Sequence, residues 1–268
     1  MLPVGRTTVA SILPRWLDQV RPRPRGRSYP LQPAEIADAY PLRVNLRTLG
    51  LGSYRTAWFM AHRIREAMKV TETGPLGGSG KIVEADETYF GTRETRHPSA
   101  QRKGRPFTKK GGKSGPGGKR AVVALVERGG KVRTFHVDHA NAANVREILV
   151  RNVSRDSTLH TDESRLYTTT GKEFGGHETV KHSAGEYVRG IVHTNTVENV
   201  FSVFKRGMKG IYHHCGEAHL HRYLAEFNFR HNNRSALGVE DSERAANAMK
   251  GAEGKRLMYR QSGETNNT

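Results

Sequence analysis

The sequence predicts a mixed α/β fold, and three observations lead to this expectation. Apolar segments with strand character come first, at 82–90, 121–127 and 132–137. A helical pattern and a further short strand follow them, and the later part of the chain shows mainly helical periodicity. Strands followed by helices in a chain of 268 residues are typical of a sheet with helices packed on it.

The strand predictions rest on local composition. Ala121–Glu127 is a nearly continuous apolar run, which is typical of a buried central strand. Gly129 and Gly130 predict a hairpin turn, and 132–137 alternates as a return strand would. Ser157–Thr161 predicts another strand, and 178–182 is a further candidate.

Three helices are predicted after the hairpin. Asn141 or its neighbour would cap a helix that runs through Val153. A second helix begins near Glu198 and reaches about Arg206. A third spans Glu217–Asn233, and its expected buried side comprises Leu220, Leu224, Phe227 and His231.

The N-terminal part of the chain differs from the rest. Residues 1–42 hold seven of the eleven prolines and are expected to be disordered and divergent. Residues 43–70 have the pattern of a helix-turn-helix, with Ser53 as an N-cap. An ordinary amphipathic helix is the alternative. The expected buried stripe comprises Ala57, Met60, Ala61, Ile64 and Met68.

The remaining segments complete the predicted organisation. Residues 71–80 form a Gly-rich linker, 81–240 the α/β domain, and 241–268 a polar C-terminal tail. The loop at 91–120 is rich in glycine and in basic residues, so we expect a mobile arm that neutralises phosphates. A plain solvated linker is the alternative. The basic residues proposed for this arm include Arg102, Lys103, Arg105, Lys109, Lys110 and Lys113.

Charge and cysteine content narrow the functional classes. A formal net charge of +18 favours a polyanionic partner, most simply nucleic acid, over a basic protein with another role. Cys215 is the single cysteine, so an intrachain disulfide and a Cys-based zinc ribbon are excluded. The sequence has neither a bilayer-spanning apolar run nor the apolar core of a signal peptide, so no membrane partner and a cytoplasmic location are expected.

Three acidic residues carry the chemical hypothesis. Asp86 lies on the first strand, Asp162 follows a later strand, and Glu198 lies on a C-terminal helix. This order is that of a ribonuclease H-like fold. Phosphodiester chemistry uses two divalent ions about 3.5–4 Å apart, and Mg²⁺ prefers carboxylate oxygens. A cap, a turn or a salt bridge remains an alternative for each acid taken alone.

Basic and aromatic residues near Glu198 are candidates for DNA contact. Lys205 follows Glu198 by two helical turns and shares its face, so it could hold a strand at the reacting phosphate. Zinc binding by the later histidines and Cys215 is disfavoured because their spacing matches no standard site. Tyr212, His213 and His214 fit DNA contact or packing better.

Four motifs together resemble the DDE transposases of bacterial insertion sequences, in the ISXO-type branch. The most specific are NTVENVFSVFKRGMKGIYHH at 195–214 and HRYLAEFNFRHNNR at 221–234. VEADETYFG at 83–91 and HTD at 160–162 resemble the first two acidic motifs of the branch. TAWFMAHRIREAM at 56–68 resembles the end of its helix-turn-helix. The resemblance covers about residues 53–238.

The resemblance implies a catalytic triad of Asp86, Asp162 and Glu198, accompanied by Lys205. It implies two Mg²⁺ or Mn²⁺ ions, double-stranded DNA as partner, assembly as a homo-oligomer on DNA, and a place in the bacterial cytoplasm at the nucleoid. Members of the branch typically begin with a Cys-rich zinc ribbon, which this chain lacks, so we expect an N-terminally truncated or divergent protein with weak selection of element ends. The expected DNA contacts outside the arm are Arg55, His62, Arg63, Lys205, Arg206, Lys209, Tyr212, His213 and His214.

Two other functions remain open on the sequence. A non-catalytic remnant could bind element ends and repress an intact relative. A structure-specific nuclease of the same fold is the other alternative.

Overall fold

The computed structural model describes residues 53–69, 74–92 and 118–255. The predicted disordered segment 1–42, the first part of the helix-turn-helix and the basic residues of the arm lie outside these ranges. So do residues 256–268 of the predicted tail.

A five-stranded mixed sheet forms the centre of the described fold. Its order is β3-β2-β1-β4-β5, in which β1 pairs antiparallel with β2 and parallel with β4. β2 and β3 form the antiparallel hairpin, and β4 and β5 are parallel. The strands are β1 (Ile82–Thr92), β2 (Lys119–Glu127), β3 (Val132–Val137), β4 (Thr158–Asp162) and β5 (Gly176–Val180). This topology confirms the predicted ribonuclease H-like α/β fold.

The helices and a small hairpin surround this sheet. Two short strands, β6 (Val188–Arg189) and β7 (Val192–His193), form a separate antiparallel pair before the third helix. The helices are α1 (Tyr54–Ala67), α2 (Ala142–Asn152), α3 (Asn195–Gly207), α4 (Leu220–Asn232) and α5 (Asp241–Lys250). A π-helical turn, Met208–Tyr212, follows α3 directly.

The alternation of β2 divides the core into two layers. Val122, Ala124 and Val126 face α3 and α4, where Phe201 and Leu224 also lie. Val123 and Leu125 point to the other face, towards Val145 and Leu149 of α2. Because β2 is buried on both faces, its sequence is apolar at nearly every position, as predicted.

The predicted linker is partly built into the core. Leu76 is 2% exposed, forms a β-bridge with Val153, and donates its backbone N–H to the Asn152 carbonyl at 2.7 Å. The glycine-rich composition of 71–80 gave no indication that Leu76 is buried.

Two other expectations need correction. Residues 241–250 of the predicted polar tail form α5, and Arg244 of this helix donates from Nε to the Asn233 carbonyl at 2.7 Å. On α1, Ile64 is 42% exposed although the predicted stripe buried it, whereas His62 and Arg65 are buried. The cause is α4, which packs on the face of α1 that carries the longer polar side chains.

Membrane-spanning helices are not found in the parts of the chain described here, because none combines sufficient length with sufficient apolar character.

Candidate active site

Asp86 and Asp162 lie on adjacent parallel strands and on the same face of the sheet. Glu84 of β1 is paired with His160 of β4. Asp86 lies two residues beyond Glu84 on β1, and Asp162 lies two residues beyond His160 on β4. Since side chains alternate with a period of two, both acids point to the face covered by α3.

Glu198 reaches this corner because the start of α3 is attached to β1. The Glu84 carboxylate accepts hydrogen bonds from the backbone N–H groups of Thr196 and Val197, at 2.8 and 3.0 Å. It also accepts from the Thr196 hydroxyl at 2.9 Å. A carboxylate at this position satisfies N–H groups that have no partner within the helix and interacts favourably with the helix dipole. Glu198 lies in the first turn that follows.

The electrostatics of Asp86 reflect the convergence of the acids. Burial, together with the negative charges of Glu87, Asp162 and Glu198, raises the pKa of Asp86 to about 8. The Asp86 Oδ1 atom accepts a hydrogen bond from the Glu87 backbone N–H at 2.7 Å. Three carboxylates of the predicted triad are therefore close enough to interact electrostatically.

The acids are not arranged at ligand distance from one another. Across residues 53–69, 74–92 and 118–255, no group of three or more His, Cys, Asp or Glu side chains is placed to hold a metal ion. The implied triad of Asp86, Asp162 and Glu198 is therefore not preassembled as a metal site in this geometry. The reason is visible at Glu198, whose Oε1 accepts from the Thr194 hydroxyl at 3.3 Å and lies 3.5 Å from His182 Nε2.

The donor chemistry of the site nevertheless fits a hard divalent cation. Asp86, Asp162 and Glu198 supply carboxylate oxygens, the ligands preferred by Mg²⁺ and Mn²⁺. Among the residues the structure describes, Asp86 has no ion pair with Lys, Arg or His, although it is half-buried. A partly buried carboxylate next to other carboxylates is stabilised most directly by a cation.

Sequence reasoning missed two further acids of β1 beside this site. Glu87 lies on the opposite face of β1, where it accepts from the buried Tyr167 hydroxyl at 2.7 Å. Burial raises the pKa of Glu87, and Asp162 contributes in the same direction. Glu84 is 0% exposed. The argument that singled out Asp86, an acid within an apolar strand, applies equally to Glu84 and would have found it.

The predicted basic contacts occupy different environments. Arg55 is exposed on α1, and Arg63 is half-buried with its guanidinium 4.5 Å from the centre of the Phe59 ring. On α3 and the following turn, Lys205 is half-buried, whereas Arg206 and Lys209 are exposed. These positions permit contact with a phosphate backbone.

Two of the predicted DNA contacts serve packing in the structure. His62 is 1% exposed, and its ring centre lies 4.2 Å from that of Trp58. Burial, followed by the charge of Arg65, lowers the pKa of His62 to about 2. Tyr212 donates its hydroxyl to Glu226 at 2.6 Å. His62 is therefore not positioned to reach DNA, and Tyr212 fits the packing alternative; His213 is exposed and His214 is half-buried.

Fold and site together define the class of this protein, a ribonuclease H-like α/β domain with an acidic cluster beside α3. Residues 75–232, more than half of the chain, match the family of the ISXO2-like transposase domain. The chain belongs to this family.

One curated relative and two solved structures illustrate what the chain is similar to. An uncharacterized protein in transposable element ISH50 of Halobacterium salinarum is 30% identical over 160 residues, which are 58% of this chain and 52% of that protein. The chain thus spans about half the length of this relative.

The structural similarities are loose. A simian T-cell lymphotropic virus intasome in complex with PP2A regulatory subunit B56 gamma gives a TM-score of 0.32 at 12% identity, over 82% of this chain and 70% of that chain. A Mos1 transposase paired-end complex with the left transposon end gives 0.25 at 11% identity, over 89% and 69%. Superpositions at this level support no argument, and the fold assignment rests on the strand order.

Proposed function

We propose that the chain is a DDE transposase that cuts DNA at the ends of an insertion sequence and joins the freed ends to target DNA. Membership of the transposase family supports the class of reaction. The observation that carries the chemistry is the gathering of Asp86, Asp162 and Glu198 at one corner of a ribonuclease H-like sheet, with Asp86 held among carboxylates.

In the proposed reaction the three acids would hold two Mg²⁺ or Mn²⁺ ions. These ions would supply activation of the attacking oxygen and stabilisation of the leaving oxygen. In the first step, a water oxygen forms a bond to phosphorus and the bond to the 3′-oxygen breaks, leaving a 3′-hydroxyl and a 5′-phosphate. In the second step, that 3′-oxygen attacks a target phosphate and displaces the target's own 3′-oxygen.

The basic residues have a separate role in this proposal. Lys205 lies two turns beyond Glu198 on α3 and would contact the strand that enters the site. Arg206 and Lys209 would extend the contact along the backbone, and the basic residues from Arg102 to Lys113 would add sequence-independent affinity. Arg120, at the end of the predicted arm, is instead buried in β2 and donates to the Cys215 carbonyl at 2.6 Å. The partner is double-stranded DNA, on which the protein assembles as a homo-oligomer in the cytoplasm.

Cleavage assays with matched substitutions test the proposal. Asp162→Asn should reduce cutting of DNA that carries the element ends by about a thousandfold or more, because an amide is a poor ligand for Mg²⁺. DNA affinity should remain nearly unchanged, since phosphate contacts come from other residues. Glu147→Gln makes the same change of charge at an exposed position on α2, where Glu147 pairs with Arg151, and serves as the control.

Each outcome has a clear consequence. Equal cutting by Asp162→Asn and wild type in Mg²⁺ would refute the metal-dependent mechanism. Tight DNA binding without cutting by wild type, in either Mg²⁺ or Mn²⁺, would instead identify a non-catalytic DNA-binding protein. Cutting without joining would identify a nuclease.

A further inference from the structure

Arg128 lies at a junction of the elements that carry the three acids. It follows β2 directly, in the turn towards β3, and its side chain reaches across the sheet to Glu84 of β1. Glu84 and His160 each precede an acid of the site by two residues on the same strand face. His193, the last residue of β7, precedes α3 by two residues.

The guanidinium of Arg128 contacts all three of these elements. Its Nε and Nη2 atoms donate to Glu84 Oε1 at 3.0 and 2.7 Å. Nη2 also lies 3.3 Å from His160 Nδ1, and it donates to the His193 carbonyl at 3.2 Å. Nη1 donates to the Ile191 carbonyl at 2.8 Å, which ties the β6–β7 hairpin to the same group.

Glu84 links Arg128 to α3, the helix that carries Glu198, through hydrogen bonds. The carboxylate is 0% exposed, and it accepts from Arg128 on one side and from the start of α3 on the other. Burying an ion pair costs about as much solvation free energy as the pair returns, so such a pair contributes little net stability. What it supplies is a fixed geometry. The Glu84 carboxylate accepts from Arg128 and from the start of α3, and the same guanidinium donates to the His193 carbonyl.

We propose that the Glu84–Arg128 pair positions Asp86, Asp162 and Glu198 relative to one another and thereby sets the affinity of the site for divalent cations. Neither residue contacts substrate in this role; both are positioning residues. The inference rests on the proposed function of the three acids.

Mn²⁺ affinity of the full-length protein, measured by electron paramagnetic resonance or calorimetry, tests this inference. Arg128→Met should weaken Mn²⁺ binding about tenfold or more, and Arg128→Lys, which keeps the charge beside Glu84, should recover part of the loss. In DNA cleavage the Met variant should lower kcat more than it raises KM, because the phosphate contacts are intact.

Glu226→Gln is the matched control for loss of a buried ion pair. Glu226 is 5% exposed and pairs with Arg65 of α1 at 2.9 Å, on elements that carry none of the three acids. This variant should lose stability and yet keep Mn²⁺ affinity within about twofold of wild type. Equal weakening in both variants, or unchanged affinity in a folded Arg128→Met protein, would overturn the inference.

Backbone hydrogen exchange separates this inference from the proposed function. The amides of Thr196 and Val197 donate hydrogen bonds to the Glu84 carboxylate. Arg128→Met should speed exchange at these two amides and should leave the exchange rates of α4 unchanged. If wild type binds no Mn²⁺, the proposed function fails, and exchange alone decides whether the pair holds the start of α3. Unchanged exchange at these amides would then refute the positioning role as well.

Discussion

Asp86 and Glu226 are acids withdrawn from solvent on different elements of one fold, and their surroundings are opposite. Glu226 is surrounded by donors: Arg65 Nε at 2.9 Å, Arg230 Nη2 at 2.9 Å and the Tyr212 hydroxyl at 2.6 Å. Asp86 accepts from the backbone of Glu87 and has Glu87, Asp162 and Glu198 as its charged neighbours.

The pKa values of the two carboxyl groups diverge accordingly. Burial acts to raise the pKa of Glu226, but the charge of Arg65 and the hydrogen bond from Tyr212 outweigh it, so the pKa is lowered. Burial and the charges of the neighbouring carboxylates together raise the pKa of Asp86 to about 8. Glu226 is satisfied by the protein and anchors α1 to α4. Within residues 53–69, 74–92 and 118–255, no cationic side chain pairs with Asp86, which is the property expected of a group that binds a cation.

The largest expected difference concerns the free energy of unfolding. Glu226→Gln should destabilise the protein by about 3 to 5 kcal/mol, because it leaves Arg65 buried without a counter-charge. Chemical denaturation of the wild type and the variant at neutral pH measures this. A loss below about 1 kcal/mol would remove the distinction between the two acids.

The pH dependence of the same variant should sharpen the comparison. A lowered folded pKa means that Glu226 stabilises the protein above its unfolded value of 4.5 and that this contribution is lost as pH falls through the folded pKa. The stability difference between wild type and Glu226→Gln should therefore shrink steadily below about pH 4.5. Denaturation midpoints measured from pH 7 to pH 3 test this, and a constant difference would contradict it.

A smaller effect of opposite sign is expected at Asp86. In buffer with a chelator, Asp86→Asn should stabilise the protein by about 1 kcal/mol, because the amide avoids the cost of burying a carboxylate and its repulsion from the neighbouring carboxylates. Glu147→Gln, at the exposed control position, should change stability by less than about 0.5 kcal/mol. Destabilisation by Asp86→Asn would show that the carboxylate is already satisfied by the protein.

The sequence predicted much of the sheet because its strands are encoded locally. The apolar run of β2 and the alternation of β3 indicate strands without reference to the rest of the chain. The register between β1 and β4 is not local, since Glu84 and His160 are 76 positions apart and pair through the fold. The order of the acids suggested their meeting, but not the orientation of the Glu198 side chain towards His182.

The errors on α1 have a related cause. A helical pattern shows which residues share a face, but it does not show which face another helix will cover. His62 and Arg65 look like solvent-facing residues of a basic helix, yet α4 supplies Tyr223 and Glu226 to receive them. The aromatic face of Tyr223 lies 4.2 Å from the Arg65 guanidinium carbon, a contact between residues far apart in the sequence.

The central claim is that Asp86, Asp162 and Glu198 form a divalent-cation site, and anomalous diffraction from crystals soaked in Mn²⁺ tests it most directly. We expect an anomalous peak about 2.0–2.3 Å from carboxylate oxygens of Asp86 and Asp162, with Glu198 turned away from His182 towards the ions. The peak should disappear in Asp86→Asn crystals. Mn²⁺ bound elsewhere on the protein, with no peak between Asp86 and Asp162, would contradict the account.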